Sequence, residues 1–372
     1  MKTLRSQHYV PKFYLKNFSF QHDRKSISIW VIEPPKYVER GSIANQACRN
    51  YFYGQDNNIE DALSQIESHV APIIRAAIEN HQIPPRESEL HLTLLAFLIS
   101  LSLRTKYQAD EVNESGDKLF KTAYKYHPAL KDNINRFYIA TDGAPLLALH
   151  SLEPALKLSF DLSYKLLLNN TATPFITSDN PVIKHNQYFF EDTQMGHLGF
   201  ASTGLQLLLP LSPFACLIFY DQSVYRVGNR QDSTVVLSNL VDVDIINEFQ
   251  YINADEAIYY NEKLNQAYLQ SLASKAFPYR KTSKTLINEY AAPPRRPGTK
   301  SSIIHIRPSF IPKSLSLSHI RVLKKAKQKL RTATFDIYRN PTLSSQVLDE
   351  EEANIQARST NRHSIKDPPS AP

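Results

Sequence analysis

Residues 87–107, ESELHLTLLAFLISLSLRTKY, decide the fold class of this 372-residue chain. Apolar side chains recur there every three or four positions, at Leu90, Leu94, Phe97, Leu98 and Leu101. This spacing predicts a long helix with one buried face. Arg104 continues the same row, three positions after Leu101. The run is too short and too polar to cross a membrane.

A second long helix is predicted just upstream, over residues 59–80. Its apolar stripe consists of Leu63, Ile66, Val70, Ile73 and Ile74. Glu60 and Glu67 lie seven positions apart on the edge of that stripe, and a carboxylate on an apolar face is costly unless it is paired. We therefore expect Glu67 to face Arg104 of the neighbouring helix, whereas Glu60 is expected to be more exposed.

The centre of the chain changes from helical to strand-like patterns. Short apolar runs separated by turn residues predict strands at residues 26–32, 164–170, 174–183, 205–213 and 215–220. Helical periodicity returns at residues 241–277. The sequence therefore predicts an α+β fold, with long helices packed against a mostly antiparallel sheet.

The C-terminal part has a different composition. Residues 291–298, AAPPRRPG, are typical of a linker, and residues 303–306 could form a short strand that returns to the sheet. Residues 320–330 are basic and could form a helix, whereas the polar, charged chain from about residue 340 is expected to be disordered. We therefore predict a domain at 1–290 and a basic, largely disordered tail at 291–372.

Composition excludes several classes of protein. Glycine occurs nine times and neither a G-x-G-x-x-G nor a P-loop motif is present, which argues against a glycine-rich phosphate cradle. Cys48 and Cys216 are far apart and no C-x-x-C occurs, so the usual zinc spacing is excluded. No apolar run of a signal peptide follows Met1, and we expect a cytoplasmic protein. The net charge of +7 is mildly basic and not diagnostic.

The motif at residues 177–181, TSDNP, is the strongest chemical signal. Asp179 stands at a strand-to-turn transition, where a carboxylate could bind a divalent cation or accept a proton. The alternative is an Asx turn, in which Asp179 and Asn180 bond to their own backbone and the hydroxyls of Thr177 and Ser178 serve the same turn. Ser178 lacks a G-x-S-x-G context, so a hydrolase nucleophile elbow is not supported.

Other polar and aromatic residues leave alternatives open. His8 could act as a general base or could hydrogen-bond a local turn. Glu67 and Arg104 could belong to an active site or form a structural ion pair. Several aromatic residues could stack on bases or simply pack in the core, namely Tyr51, Phe52, Tyr53, Tyr124 and Tyr126.

The chain resembles a prokaryotic family catalogued as domain of unknown function 4238. The resemblance rests on residues 7–18 (QHYVPKFYLKNF), Arg104-Thr105, residues 175–182 (FITSDNPV) and residues 210–213 (PLSP), with Asn247 where a late helical asparagine is expected. It covers about residues 7–265. It implies a shared fold and no established activity, so function has to be argued from the residues.

Two functions follow from these patterns. In the first, the protein is a metal-dependent, nuclease-like hydrolase of phosphodiesters. Asp179 and Glu67 would hold Mg²⁺ or Mn²⁺, His8 would be the general base and Arg104 would stabilise the developing charge, and the substrate would contact Tyr9, Thr177, Ser178 and Asn180. In the second, a non-catalytic regulatory protein binds protein or nucleic acid, the latter through its basic tail. A setting in phage defence is an expectation from the prokaryotic family alone.

Overall fold

A computed structural model of the chain describes residues 6–191, 197–293 and 301–363. The strands are, in chain order, β1 (Ser6–His8), β2 (Ser26–Val31), β3 (Lys36–Ser42), β4 (Cys48–Asn50), β5 (Ser163–Asn169), β6 (Thr177–Ser178), β7 (Ile183–His185), β8 (Gln206–Ser212), β9 (Ala215–Tyr220), β10 (Tyr225–Val227), β11 (Thr234–Leu237), β12 (Ala257–Tyr260), β13 (Thr285–Ala292), β14 (Ser301–Pro308) and β15 (Ile320–Val322). The helices are α1 (Lys12–Leu15), α2 (Asn58–Glu79), α3 (Glu89–Leu103), α4 (Lys106–Tyr124), α5 (Ala144–Leu149), α6 (Leu152–Ser159), α7 (Leu240–Asn253), α8 (Gln266–Ala276), α9 (Lys324–Arg331) and α10 (Pro341–His363).

The larger sheet has five strands in the order β11-β5-β9-β8-β7, and only the β11–β5 pair is parallel. Alternate residues of these strands enter two different cores, since successive side chains point to opposite faces. Leu207 and Leu217 pack with α2 and α3, whereas Leu208 and Ile218 pack with α7 and α8. Helices on both faces explain why every residue of β8 and β9 is buried. The predicted α+β fold with a mostly antiparallel sheet is confirmed.

The smaller sheet has four strands in the order β3-β2-β12-β6. Its strand β12 lies within residues 241–277, where helical periodicity predicted helix throughout, and that part of the prediction is wrong. Ile258 faces Trp30 on one side and Ser178 on the other, so sheet pairing overrides the local pattern. Through β6 this sheet positions the predicted motif.

The two long N-terminal helices form largely as predicted. The stripe of α2 is buried at Leu63, Val70, Ile73 and Ile74. Leu90, in contrast, is 53% exposed, because it lies in the first turn of α3 before that helix enters the core. The predicted single helix also breaks at Arg104, and Thr105 caps α4 by accepting a hydrogen bond from the amide of Gln108.

The C-terminal part is largely folded onto the domain. β13 and β14 form a separate antiparallel pair, so the strand predicted at 303–306 does not join the main sheet. α10 is helical where disorder was predicted, and it contacts α6 through the Lys157–Glu350 ion pair. Most of the predicted linker, residues 294–298, and the end of the tail, residues 364–372, lie outside the described residues. None of the described helices has the length and apolarity needed to span a membrane.

Candidate functional site

Three amide side chains on one face of α7 clamp the backbone of residues 174–182. Asn247 accepts a hydrogen bond from the amide of Ile176 at 3.0 Å and donates to the carbonyl of Pro174 at 3.0 Å. Gln250 donates to the carbonyl of Pro181 at 2.6 Å. Asn253 donates to the carbonyls of Asn180 at 2.6 Å and Val182 at 3.0 Å. All three side chains are buried, so this clamp satisfies backbone groups that water cannot reach.

The polar side chains of the predicted motif are bonded within the protein. The Thr177 hydroxyl lies 2.6 Å from the Tyr14 hydroxyl, and Ser178 donates to Oε1 of Gln250 at 2.9 Å. Asn180 accepts a hydrogen bond from the Thr105 hydroxyl at 3.1 Å and donates to the carbonyl of Asn253 at 2.9 Å. The residues predicted to bind substrate therefore join β6 to α1, α4 and α7.

Asp179 is 2% exposed, and its carboxylate faces a turn of backbone between α7 and β12. Oδ1 accepts a hydrogen bond from the amide of Asp255 at 2.8 Å, and Oδ2 accepts from the amides of Glu256 at 2.7 Å and Ala257 at 3.2 Å. Burial and the nearby Asp255 carboxylate raise the pKa of Asp179 to about 7, against the opposing effect of the amide donors. Both oxygens therefore accept hydrogen bonds from the backbone of residues 255–257. The Asx-turn alternative expected Asp179 to bond to its own neighbouring backbone instead.

Arg104 and Glu67 form the ion pair that the helix pattern predicts as one alternative. Nη2 of Arg104 donates to Oε1 of Glu67 at 2.8 Å, and Nε donates to the carbonyl of Tyr9 at 3.1 Å. The Arg104 side chain is 1% exposed and that of Glu67 is 26% exposed. The guanidinium thus ties α2 and α3 to the N-terminal segment.

His8 and Glu60 lie beside this ion pair. Nε2 of His8 lies 3.0 Å from the carbonyl of Ala44, and burial lowers the pKa of His8. The expectation that Glu60 is exposed is wrong, since its Oε2 is buried and has no hydrogen-bond partner among the described residues. Burial and the neighbouring Glu67 raise the pKa of Glu60, and Arg104 opposes that shift.

The predicted catalytic residues therefore form two adjoining groups. His8, Glu67 and Arg104 share one group, and Asp179 lies in the other. The Thr105–Asn180 hydrogen bond joins the two groups, and Tyr9 is near both. Its carbonyl binds Arg104, and the pKa of its hydroxyl is raised first by burial and then by the charge on Asp179.

A metal ion would need free ligands at this place. Glu67 is bonded to Arg104, and both oxygens of Asp179 accept backbone hydrogen bonds. Within residues 6–191, 197–293 and 301–363, no group of three or more histidine, cysteine, aspartate or glutamate residues is arranged to hold a metal. The described contacts join both carboxylates to other groups of the protein.

The cysteines and aromatic residues divide by burial. Cys216 is buried and burial raises its pKa, whereas Cys48 is partly exposed. Tyr53 is buried, and Phe52 packs between Tyr9 and Tyr53. Tyr51, Tyr124 and Tyr126 are exposed. Among the aromatic residues considered for base stacking, these three are the ones a base could reach.

Sequence reasoning missed several partners of the motif. Tyr14, Gln250 and Asn253 were not singled out, although each bonds directly to the motif or its backbone. One signal was present, because Asn247, Gln250 and Asn253 recur every three positions on a helix that is buried along most of its length. Buried amides at helical spacing indicate a helix that hydrogen-bonds to an irregular segment.

The sequence indicated a basic C-terminal segment but not the strand pair that carries part of its charge. β10 pairs with β15, and Arg226 lies directly opposite Arg321 in the antiparallel register. Both side chains are exposed, and in the described part of the chain neither makes an ion pair. Like charges at directly opposed positions repel each other, so the pair has a cost in the free protein.

Helix α9 extends the surface of this strand pair. The basic surface consists of Arg226, Arg230 and residues 320–331. Residues 320–331 include six lysines and arginines and lack aspartate and glutamate. The segment is fixed to the domain, because Ala326 is buried, its carbonyl accepts a hydrogen bond from the Tyr188 hydroxyl at 2.8 Å, and the amide of Leu323 donates to the carbonyl of Val224 at 2.8 Å. The cations are therefore presented on folded structure.

A cleft with a volume of about 450 Å³ opens beside the basic surface. Arg86, Arg226 and Arg230 line it together with Lys165 and several tyrosines. Arg86 donates to Oε1 of Gln222 at 3.1 Å, and Lys165 donates to the carbonyls of Asn229 and Asp232, which fixes the loop that carries Arg230. This volume is within the usual range of small-molecule sites.

A family model described as "Protein of unknown function (DUF4238)" matches residues 6–264. Searches of the curated proteins and of the solved structures gave no match. The matched region includes the motif, its clamp on α7 and the first strand of the basic surface, whereas β15 and α9 lie beyond it.

Proposed function

The chain belongs to the DUF4238 family of proteins of unknown function, and we propose that it binds nucleic acid through the basic surface. Binding is expected to be directed at phosphates, because the surface offers exposed guanidinium and ammonium groups. The function is then the non-catalytic alternative that the sequence left open, with the cations carried on folded elements.

The opposed pair Arg226 and Arg321 is the observation that carries this proposal. Two exposed arginines on neighbouring strands destabilise the free protein, whereas a phosphate between them would remove the repulsion. Arginine donates two parallel hydrogen bonds to phosphate, so two adjacent guanidinium groups suit consecutive phosphates of one strand.

The surroundings of the pair support the same proposal. Within the described residues, Lys329 is the one cation of residues 320–331 in an ion pair, with Asp336 at 3.8 Å. The other cations are not neutralised by neighbouring carboxylates in that part of the chain. The cleft lined by Arg86 and Arg230 continues the positive surface and is large enough for a nucleotide unit.

The proposal is tested by measuring the affinity for a fluorescein-labelled 20-nucleotide single strand, and for its duplex, as a function of salt concentration. Each phosphate contact contributes about 0.7 to 0.9 to the slope of log K against log salt. The double variant Arg226→Gln/Arg321→Gln should therefore lower that slope by about 1.5 and weaken binding by about tenfold.

The matched control removes two exposed cations from another part of the molecule. Arg24 and Lys36 are both exposed, and Lys36 lies on strand β3 of the smaller sheet. The variant Arg24→Gln/Lys36→Gln has the same net charge as the test variant and should keep the wild-type slope. Equal losses in both double variants would mean attraction by net charge alone and would refute a specific surface.

The metal-dependent hydrolase stays a prediction from the sequence, and the contacts around Asp179 and Glu67 favour binding without cleavage. Both carboxylates are bonded to protein groups that a metal would have to displace. The same oligonucleotides incubated with Mg²⁺ or Mn²⁺ should therefore remain intact. Cleavage by the wild-type protein that Asp179→Ala abolishes, in a folded variant, would reverse this preference.

A further inference from the structure

Lys281 lies in a second cleft, separate from the basic surface and next to the motif through Asp255, whose amide bonds to Asp179. The cleft has a volume of about 150 Å³ and is lined by Tyr107, Asp255, Ser283 and Lys284, among others. Nζ of Lys281 donates a hydrogen bond to the Tyr107 hydroxyl at 3.2 Å and lies 5.1 Å from the centre of the Tyr107 ring. Its side chain is partly exposed to the cleft.

The electrostatic surroundings of Lys281 disfavour its ammonium form. Burial lowers the pKa of Lys281 to about 8, and the neighbouring cations Lys184, Arg280 and Lys284 act in the same direction. Glu111 opposes this shift, yet burial also raises the pKa of Glu111. In the described part of the chain, no carboxylate lies within ion-pair distance of Nζ of Lys281.

The other cations of the cleft are already committed. Nζ of Lys284 bonds to Asp255 at 2.8 Å and to Asp110 at 3.1 Å. Arg280 donates to the carbonyls of Tyr251, Ala254 and Asp255, at and just beyond the end of α7. Lys281 is therefore the basic group of the cleft that is placed to react.

We propose that Lys281 forms a Schiff base with a small aldehyde or ketone that enters this cleft, with the Tyr107 hydroxyl holding the amine in place. A lysine amine that is desolvated and surrounded by cations is activated as a nucleophile. A cavity of about 150 Å³ accommodates a molecule about as large as benzene, so the carbonyl compound is small. Since Lys284 is paired with two carboxylates and the donors of Arg280 are taken up by backbone carbonyls, an uncharged compound suits the cleft best.

The chemistry balances without a further reactant. The amine nitrogen attacks the carbonyl carbon, the C=O π electrons move to oxygen, and a proton moves from nitrogen to that oxygen to give a carbinolamine. A proton from solvent then protonates the departing hydroxyl, water leaves, and the nitrogen lone pair forms the C=N bond. The imine nitrogen finally returns a proton to solvent, so that one carbonyl compound and one amine yield one imine and one water.

Borohydride trapping on the full chain tests this proposal. The protein is incubated with glycolaldehyde at about pH 7.5, the imine is reduced with borohydride, and each lysine is quantified by peptide mass spectrometry. A group with a pKa of about 8 is roughly one-quarter neutral at that pH, whereas an ordinary lysine is neutral in roughly one molecule per thousand. Lys281 should therefore be labelled at least tenfold faster than the exposed Lys36 in the same sample.

Two variants complete the experiment. Tyr107→Phe keeps the aromatic ring and removes the hydroxyl, so labelling of Lys281 should slow about fivefold while labelling of Lys36 is unchanged. Lys281→Arg should remove the fast label altogether. Labelling of Lys281 at the rate of Lys36 in the wild-type protein would overturn the proposal, and an unchanged rate in Tyr107→Phe would overturn the role of Tyr107.

Discussion

The guanidinium of Arg104 donates a hydrogen bond to Glu67 at 2.8 Å, and the two side chains differ greatly in exposure, at 1% and 26%. Removing Glu67 leaves a buried cation, whereas removing Arg104 leaves a carboxylate that water can reach. Breaking a buried pair by deleting one partner costs about 3–5 kcal/mol, and the partial exposure of Glu67 places the expected cost of Glu67→Ala near the lower end.

Urea denaturation of Glu67→Ala checks this value, and Glu67→Gln is expected to lose less because an amide oxygen can still accept the hydrogen bond. Glu79→Ala is the control, since Glu79 is exposed on the same helix α2 and its removal should change the free energy of unfolding by no more than about 0.5 kcal/mol. A Glu67→Ala variant as stable as this control would exclude a structural role for the pair.

The α7 clamp gives a second stability prediction. Asn253→Ala removes the donor to the carbonyls of Asn180 and Val182 and leaves both buried without that partner. Each such loss costs about 1–3 kcal/mol, so Asn253→Ala should lower the free energy of unfolding by at least about 2 kcal/mol. Gln270→Ala, an exposed amide on α8, should be nearly neutral, and similar effects of the two changes would argue against the clamp.

The sequence predicts elements well where local periodicity and burial agree. The apolar stripe of α2 is an example, because this helix buries one side against the core, whereas α3 was predicted to bury one face and is buried on nearly all sides. At β12 periodicity fails as a guide, since Ala257–Tyr260 is short, wholly buried and embedded between two helices. A short apolar run cannot be assigned by periodicity alone, and only its neighbours β2 and β6 decide its structure.

The sequence predicts which residues belong to the candidate site better than it predicts which groups they bond to. The pairing of Glu67 with Arg104 followed from helix spacing, because both lie on inward-facing rows. The three backbone donors to Asp179 come from residues 255–257 and could not be inferred, since they depend on how α7 meets β12. The Arg226–Arg321 pair likewise depends on a strand register between segments almost a hundred positions apart.

The raised pKa of Asp179 predicts a specific dependence of stability on pH. The folded-state pKa is about 7, and an unfolded aspartate has a pKa of about 3.9. Between these values the folded protein holds the extra proton, so this residue's contribution to stability falls as the pH rises from about 4 to 7.

Urea denaturation between about pH 4.5 and 7.5 measures this effect as a difference between variants. Asp179→Asn should lower stability by losing an acceptor, yet its stability should fall less steeply with rising pH than that of the wild-type protein. Asp61→Asn, at an exposed position of α2, should keep the wild-type slope. Identical slopes in Asp179→Asn and the wild-type protein would contradict the raised pKa.

The opposed arginines predict that stability and binding change in opposite directions. Arg226→Glu converts a repulsive cross-strand pair into an attractive one with Arg321, which should raise the free energy of unfolding by about 0.5–1 kcal/mol at low salt. The gain should shrink at high salt, because exposed charges are screened. Lys36→Glu is the control, since Lys36 lies opposite Val31 and no cross-strand charge pair changes.

The same Arg226→Glu variant should bind the labelled oligonucleotide at least tenfold more weakly, because a carboxylate repels phosphate where a guanidinium attracts it. A more stable protein that has lost affinity would indicate that the arginine pair is kept for a ligand, whereas unchanged affinity would remove the main support for the proposed function.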